Sequence, residues 1–471
     1  ARRGRRGPAV VMGHGFSLVK GCLAGQAQAL AEAGFTVLAI DYRTFGDSGG
    51  SPRGQLFPLN EAEDFRAAIS FMQARADVDP NRIGIWGASH AVPPAGPFAR
   101  AWGAFSVGDK QYAAMKLTLM LLVGSAAIMA AIFALYLGAG ATSFDLAHLA
   151  SATYDRDTQI AVFPLIWLGF GTLAGVFPFH TWSPDGHASA PTAVSMLHAG
   201  VLMKLGAFGV MRVGMVLLPE GTHFWVPVVG AVAAVNVLYG ALCAMSQTDL
   251  KYIVAYSSVS HMGVVMLGAA TLTPAGWDGA VFQMVAHGIM TGLFFALVGI
   301  VYERAHTRAV ATMGGFATVM PGVAAFFTLA CLSSLGLPGT AGFVSEFVVF
   351  LGAWRAGHPL WTIAGVLGAF VTAIYVLRAA RAIFWGPGPS TDFHELSDAR
   401  RTELGALILL GGALVLLGVW LTACAGSRDA LRPPPDHDPM NDVQGRQLFD
   451  QGIAETLFNR QTAGAEFVIG K

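Results

Sequence analysis

The sequence predicts a mainly α-helical, polytopic membrane fold with discontinuous helices, preceded by a small partial α/β segment. Three observations carry that expectation. Charged residues are only 12% of the 471 and hydrophobic ones 54%, against about a quarter charged in an ordinary soluble chain. Between residues 100 and 420, apolar stretches recur at the roughly 20-residue length that crosses a bilayer. The first 92 residues instead follow the strand–helix–strand grammar of an α/β fold.

In that first segment the apolar run Pro8 to Met12 leads into Gly13-His14-Gly15, and a second run, Phe35 to Ile40, ends at Asp41-Tyr42-Arg43. Both read as buried parallel strands, and Arg82 to Trp86 reads as a third. Helices are expected over 26–33 and 62–74. The basic start, Arg2, Arg3, Arg5 and Arg6, is followed by a strand, so no signal peptide is expected. Composition changes at Pro93-Pro94, and residues 93–112 form a junction. The membrane domain then covers 113–423 in about ten apolar segments: 113–138, 159–178, 189–217, 224–246, 251–271, 277–301, 309–336, 339–355, 359–384 and 403–423. Breaks fall at Pro178, Pro184, Pro191 and Leu337-Pro338-Gly339, where the freed backbone groups need protein or a wet cavity. Leu421-Thr422-Ala423-Cys424 looks like a lipobox and is read as an incidental match at a helix end. Residues 424–471 are a polar, unassigned tail. The three unlike pieces together read as a mosaic, or chimera.

Basic and acidic residues balance at 29 each, so no basic field points to nucleic acid as a partner, while the apolar composition points to the lipid bilayer. Cys22, Cys243, Cys331 and Cys424 are scattered, without metal-ligand spacing, so neither a disulfide nor a metal or iron–sulfur site is expected.

An ionisable group in hydrocarbon costs at least about 2.5 kcal/mol, so such residues mark the place to look for function. Lys204 sits with about 15 mostly apolar residues on either side, and Glu346 follows the break at 337–339. A lysine and a carboxylate in a partly hydrated cavity can be tuned to exchange protons. His261 and His287 lie in neighbouring spans that also carry Ser and Gln, a combination suited to a hydrated polar line. Lys251, beside Asp249 at a helix start, is a further relay candidate. His180, Asp185 and His187 read as a re-entrant or surface loop rather than a metal site.

Several strings together resemble one family. They are Pro178 to Ala193, Ala199-Gly200-Val201-Leu202-Met203-Lys204, Gln247-Thr248-Asp249-Leu250-Lys251, Tyr256 to Gly263, Gln283 to Gly288, Tyr302 to Arg308 and Gly336 to Thr340. In this order, over about residues 101–420, they resemble the M-type, antiporter-like proton-channel subunit of bacterial NADH:quinone oxidoreductase, complex I. The resemblance implies two inverted five-helix repeats, broken helices and a central chain of Lys, His and Glu. Lys204 matches the central lysine, Glu346 the acidic residue of the second broken helix, and His261 and His287 the axial histidines. It further implies other membrane-arm subunits of complex I as partners. NADH, FMN, iron–sulfur clusters and quinone would sit in those partners, with no cofactor on this chain, in a multi-pass protein of the bacterial inner membrane. Two departures point to impaired translocation: the soluble piece stands where the family carries an essential glutamate before Trp102-Gly103, and Leu173 replaces a lysine of the first broken helix.

Residues 1–91 resemble the start of an α/β-hydrolase. His14-Gly15-Phe16 matches the oxyanion turn and Gly87-Ala88-Ser89-His90-Ala91 the nucleophile elbow, with Ser89 as the implied catalytic serine. No downstream acid and histidine follow on later strands. Three alternatives to a proton-translocating subunit therefore stay open: an Mrp-type sodium/proton antiporter subunit, a serine hydrolase acting through Ser89, and a non-transporting membrane piece. The Tyr302 to Arg308 string favours complex I.

Overall fold

The computed structural model describes residues 6–14, 19–53, 58–87, 110–387, 393 and 396–425. Ser89, residues 93–109 of the junction and the tail beyond 425 lie outside them. The chain divides into two compact units, Ala1–Leu122 with Thr181–His198, and Val123–His180 with Ala199–Lys471.

In the first unit, β1 (Gly7–Gly13) lies between β2 (Thr36–Ile40) and β3 (Val78–Gly87), all parallel, with Val11 opposite Leu38 on one side and Ile85 on the other. The strands read as continuous apolar runs because both faces are covered. Ala9 and Val11 pack with Tyr42, Phe65 and Met72 on the side of α2 (Pro58–Gln73), while Val10 and Met12 pack with Leu23 and, from α1 (Ala24–Glu32), Leu30. After β2 the chain turns around Asp41. Its carboxylate takes the Lys20 ammonium at 3.0 Å and the backbone N–H groups of Lys20 and Asp47. Burial alone would raise the Asp41 pKa, but these hydrogen bonds outweigh it and hold the carboxyl below the usual range.

The remaining helices are α3 (Lys110–Gly138), α4 (Leu146–Ser151), α5 (Arg156–Ala174), α6 (Trp182–Ser189), α7 (Thr192–Leu197), α8 (Met203–Gly209), α9 (Pro219–Ser246), α10 (Leu250–Ala270), α11 (Pro274–Ala305), α12 (Pro321–Ser334), α13 (Ala341–Arg355), α14 (Pro359–Ile383) and α15 (Arg401–Ala425). Among the described residues, eight helical stretches are long and apolar enough to cross a membrane, one of them the composite Thr192–Met215. Within that composite, π-helical turns at His198–Leu202 and Val210–Met215 flank α8.

In the second unit α10 is the central helix: 94% of its most apolar window is buried, against 22% for α15. Outer helices turn Leu360, Phe370, Leu409 and Leu416 outward, as hydrocarbon contact requires. The helix starts are set locally. Asp155 caps α5 by accepting from Thr158 N–H at 2.9 Å, Asp249 caps α10, and Thr273 caps α11 with Pro274 at its first position. Asp249 also pairs with Arg308 at 3.0 Å, beside a short antiparallel bridge to Ala309. At a distance in sequence, Asp398 accepts from Gly322 N–H (2.7 Å) and Val323 N–H (3.1 Å), so a carboxylate 75 residues away caps α12.

Two expectations need correction. The segment over 309–336 is helical only from Pro321, preceded by 3-10 turns at Val310–Thr312 and Phe316–Thr318, because proline supplies the preferred first helical residue. The 180–187 stretch is not a surface loop. Trp182–Ser189 is a short helix with Trp182 and His187 fully buried, since Pro184 falls in the first turn, where its missing N–H has no bond to make. Asp185 there pairs with Lys116 of α3 at 2.7 Å.

Candidate functional site

Four helices of the second unit converge on one buried polar line. Lys204 follows directly on the π-turn at His198–Leu202. Such a turn leaves a carbonyl without its usual i→i+4 donor, and Lys204 Nζ donates to the Ala199 carbonyl oxygen five residues back. The same ammonium lies 2.6 Å from His287 Nδ1 on α11. This approach depends on two glycines. A Cβ on Gly288 would sit 2.8 Å from the Gly200 carbonyl oxygen, and one on Gly200 would be 3.3 Å from the Gly288 oxygen.

The His287 ring stands 5.0 Å, centroid to centroid, from that of His261 on α10. His261 Nε2 is 3.1 Å from Ser334 Oγ at the end of α12, and its Nδ1 is 3.0 Å from Glu346 Oε1 on α13. Gln283, one turn before His287 on the same face of α11, places its amide nitrogen 3.2 Å from His261 Nδ1 and 3.5 Å from Glu346 Oε1. Ser345 Oγ donates to the Gln283 amide oxygen. The break between α12 and α13 shapes the carboxylate's surroundings. Gly336 and Gly339 take φ of +75° and +92°, and a Cβ on Gly336 would lie 3.3 Å from Glu346 Oε2.

Lys204, His287, His261 and Glu346 are thus brought together, each no more than 8% exposed. Lys251 is not part of that cluster. It is buried at the start of α10, ten residues from His261, or about 15 Å of helix rise. Between the two levels lies a narrow cavity lined by Ile253, Val254, Ser257, Cys331 and Tyr375. Leu173 lies on α5 where α8 crosses it closely: a Cβ on Gly206 would be 2.8 Å from the Leu173 carbonyl carbon. Ser334 and Ser345 were not singled out by the sequence. Polar residues in otherwise apolar spans were the signal for them, as for Gln283, but nothing in the pattern gave their facing.

The chain is similar to known proteins over most of its apolar region. The family described as "NADH:quinone oxidoreductase/Mrp antiporter, TM" matches residues 103–372. A curated relative, an NAD(P)H-quinone oxidoreductase chain 4 of Microcystis aeruginosa, is 39% identical over 310 residues, covering 64% of this chain and 55% of its own length. The chain therefore spans little more than half of that relative. Among solved structures, respiratory complex I from Thermus thermophilus with bound NADH contains a chain that superposes with a TM-score of 0.65 at 32% identity, covering 69% of this chain and 68% of that one. A chain of the Mrp complex from Dietzia sp. DQ12-45-1b shares the fold, with a TM-score of 0.61 at 20% identity over 67% and 66% of the two chains. The helices and these matches make the protein a multi-pass inner-membrane protein. With more than half of its length inside the family match, the chain belongs to the NADH:quinone oxidoreductase/Mrp antiporter membrane family.

Proposed function

We propose that the chain is a proton-translocating membrane-arm subunit of a respiratory NADH:quinone oxidoreductase, with Lys204, His287, His261 and Glu346 as its relay. What supports the reading above all is the continuity of the line. Lys204 Nζ is 2.6 Å from His287, and His261 is 3.0 Å from Glu346. Between these two contacts the imidazole rings of His287 and His261 stand 5.0 Å apart, centroid to centroid. Each member can hold or release a proton, and hydrocarbon-depth burial makes retention of four such groups costly without a use for them. Lys251 serves in this reading as a separate station at the helix start. Redox energy, with NADH, FMN, iron–sulfur clusters and quinone, belongs to partner subunits of the complex. The 39% identity over 310 residues to chain 4 of such an oxidoreductase favours complex I over a sodium/proton antiporter.

The test is proton flux through the purified full chain in lipid vesicles carrying an internal pH dye. Lys204→Ala and Glu346→Ala should each lower the flux by on the order of 10²-fold, the usual contribution of a positioned acid or base. Equal flux in all three proteins overturns the reading, and flux that follows a sodium gradient transfers it to the antiporter class.

A further inference from the structure

Two donors and acceptors of opposite demand meet at one nitrogen. His261 Nδ1 lies 3.0 Å from Glu346 Oε1 and 3.2 Å from Gln283 Nε2. A ring nitrogen either carries hydrogen and donates or lacks it and accepts. Toward an ionised Glu346 it must donate, and toward the Gln283 amide N–H it must accept. The Ser345 hydroxyl, whose one proton has the Gln283 amide oxygen and the carbonyl oxygens of Ala341 and Gly342 within reach, aims the NH2 group at the ring when it donates to Gln283. Gln283 is 1% exposed, Ser345 0%, His261 3% and Glu346 5%, so bulk water does not relieve the conflict.

We propose that Gln283 is a positioning residue that decides which nitrogen of His261 carries the proton and thereby gates exchange with Glu346; the gating part rests on the relay reading above. With Glu346 protonated, one Gln283 N–H donates to bare Nδ1, and the neutral ring keeps its hydrogen on Nε2, facing Ser334 Oγ at 3.1 Å. When the carboxyl proton passes to Nδ1, the carboxyl O–H bond breaks and an N–H bond forms, leaving a carboxylate and an imidazolium. The amide N–H is then opposed by the new N–H and serves the carboxylate oxygen 3.5 Å away instead. One side chain thus has a partner in both end states, and it excludes the third state, a neutral ring with hydrogen on Nδ1.

The experiment uses the full chain in lipid nanodiscs with 15N-labelled histidine, the His261 signals being identified by difference from His261→Asn. In the wild type, neutral His261 should show a bare Nδ1 and a protonated Nε2. Gln283→Met keeps the volume but removes the amide, and should exchange the two nitrogen signatures. It should also lower vesicle proton flux about tenfold, the worth of one hydrogen bond to a charged group. Ser345→Ala, which releases the amide from its anchor without touching the ring, should give a mixture of the two tautomers. An unchanged His261 tautomer in both variants, with the signals of His287 undisturbed, overturns the proposal. A tautomer that exchanges while flux stays at the wild-type level overturns the gating. If Lys204→Ala and Glu346→Ala also leave flux untouched, it is the relay reading that has failed, and the tautomer result still decides whether Gln283 sets the ring.

Discussion

Substituting Gly288 by alanine tests how tightly the relay depends on helix spacing. The added Cβ would lie 2.8 Å from the Gly200 carbonyl oxygen, where ordinary contact begins at 3.4 Å. Backbone stands on both sides, so the helices must part by about 0.6 Å rather than a side chain turning away. If that displacement falls on the neighbouring contact, Lys204 Nζ to His287 Nδ1 opens from 2.6 Å to roughly 3.2 Å, the outer edge of a hydrogen bond. A 1 Å misplacement costs about 10²-fold in transfer rate, so 0.6 Å predicts a loss of about tenfold. The assay is vesicle proton flux, with Gly292→Ala as control. Gly292 lies one turn along the same helix, and a Cβ there meets nothing within 4 Å. Wild-type flux in Gly288→Ala, from protein whose thermal unfolding matches the control, would refute the dependence.

Three other outcomes follow from the geometry. Asp398→Ala removes both acceptors from the start of α12 and should cost about 1–2 kcal/mol, read as a lower midpoint of thermal unfolding in detergent. Asn236 is fully buried, accepts from Phe177 N–H and donates to Val259 O, each at 2.9 Å, so Asn236→Leu leaves the Phe177 N–H unsatisfied while Val259 O keeps its helical donor, and should cost roughly 1–3 kcal/mol by the same measurement. The Asp41 carboxyl is held below its ordinary pKa, so its contribution to the N-terminal segment is complete above that ordinary value and disappears as pH falls through the folded one. Amide protection factors in residues 36–53, taken against the intrinsic exchange rate at each pH, should therefore fall on acidification in the wild type, whereas Asp41→Asn should show lower protection at neutral pH and vary less with acid.

Much of this architecture was legible because bilayer crossing writes itself into composition. Each of the ten apolar stretches contains a helix, and the break at 335–340 could be placed from Leu337-Pro338-Gly339 alone. The three strands were equally plain, since β1 is covered on both faces and so carries no alternation to misread. What the sequence could not give was facing. Lys204, His261, His287 and Glu346 stood out as costly residues at depth, but a span buried all round has no polar side from which to read a direction. Lys251 was read from its place beside Asp249 at a helix start, and that is where it lies. The 180–187 stretch was misread because proline, aromatic and histidine residues mark an interfacial turn as readily as they mark a short helix enclosed by protein.

The wide turn at His198–Leu202 has a consequence for anyone editing this chain. It holds one residue more than a regular helical turn needs, and each residue in a helix accounts for about 100° of rotation. Deleting a single residue there would let the turn close to ordinary pitch, and would give the Ala199 carbonyl, to which Lys204 donates, a backbone donor instead. A one-residue gap in this stretch is therefore a larger alteration than most point changes, and length here is as much a determinant of the site as the identity of Lys204.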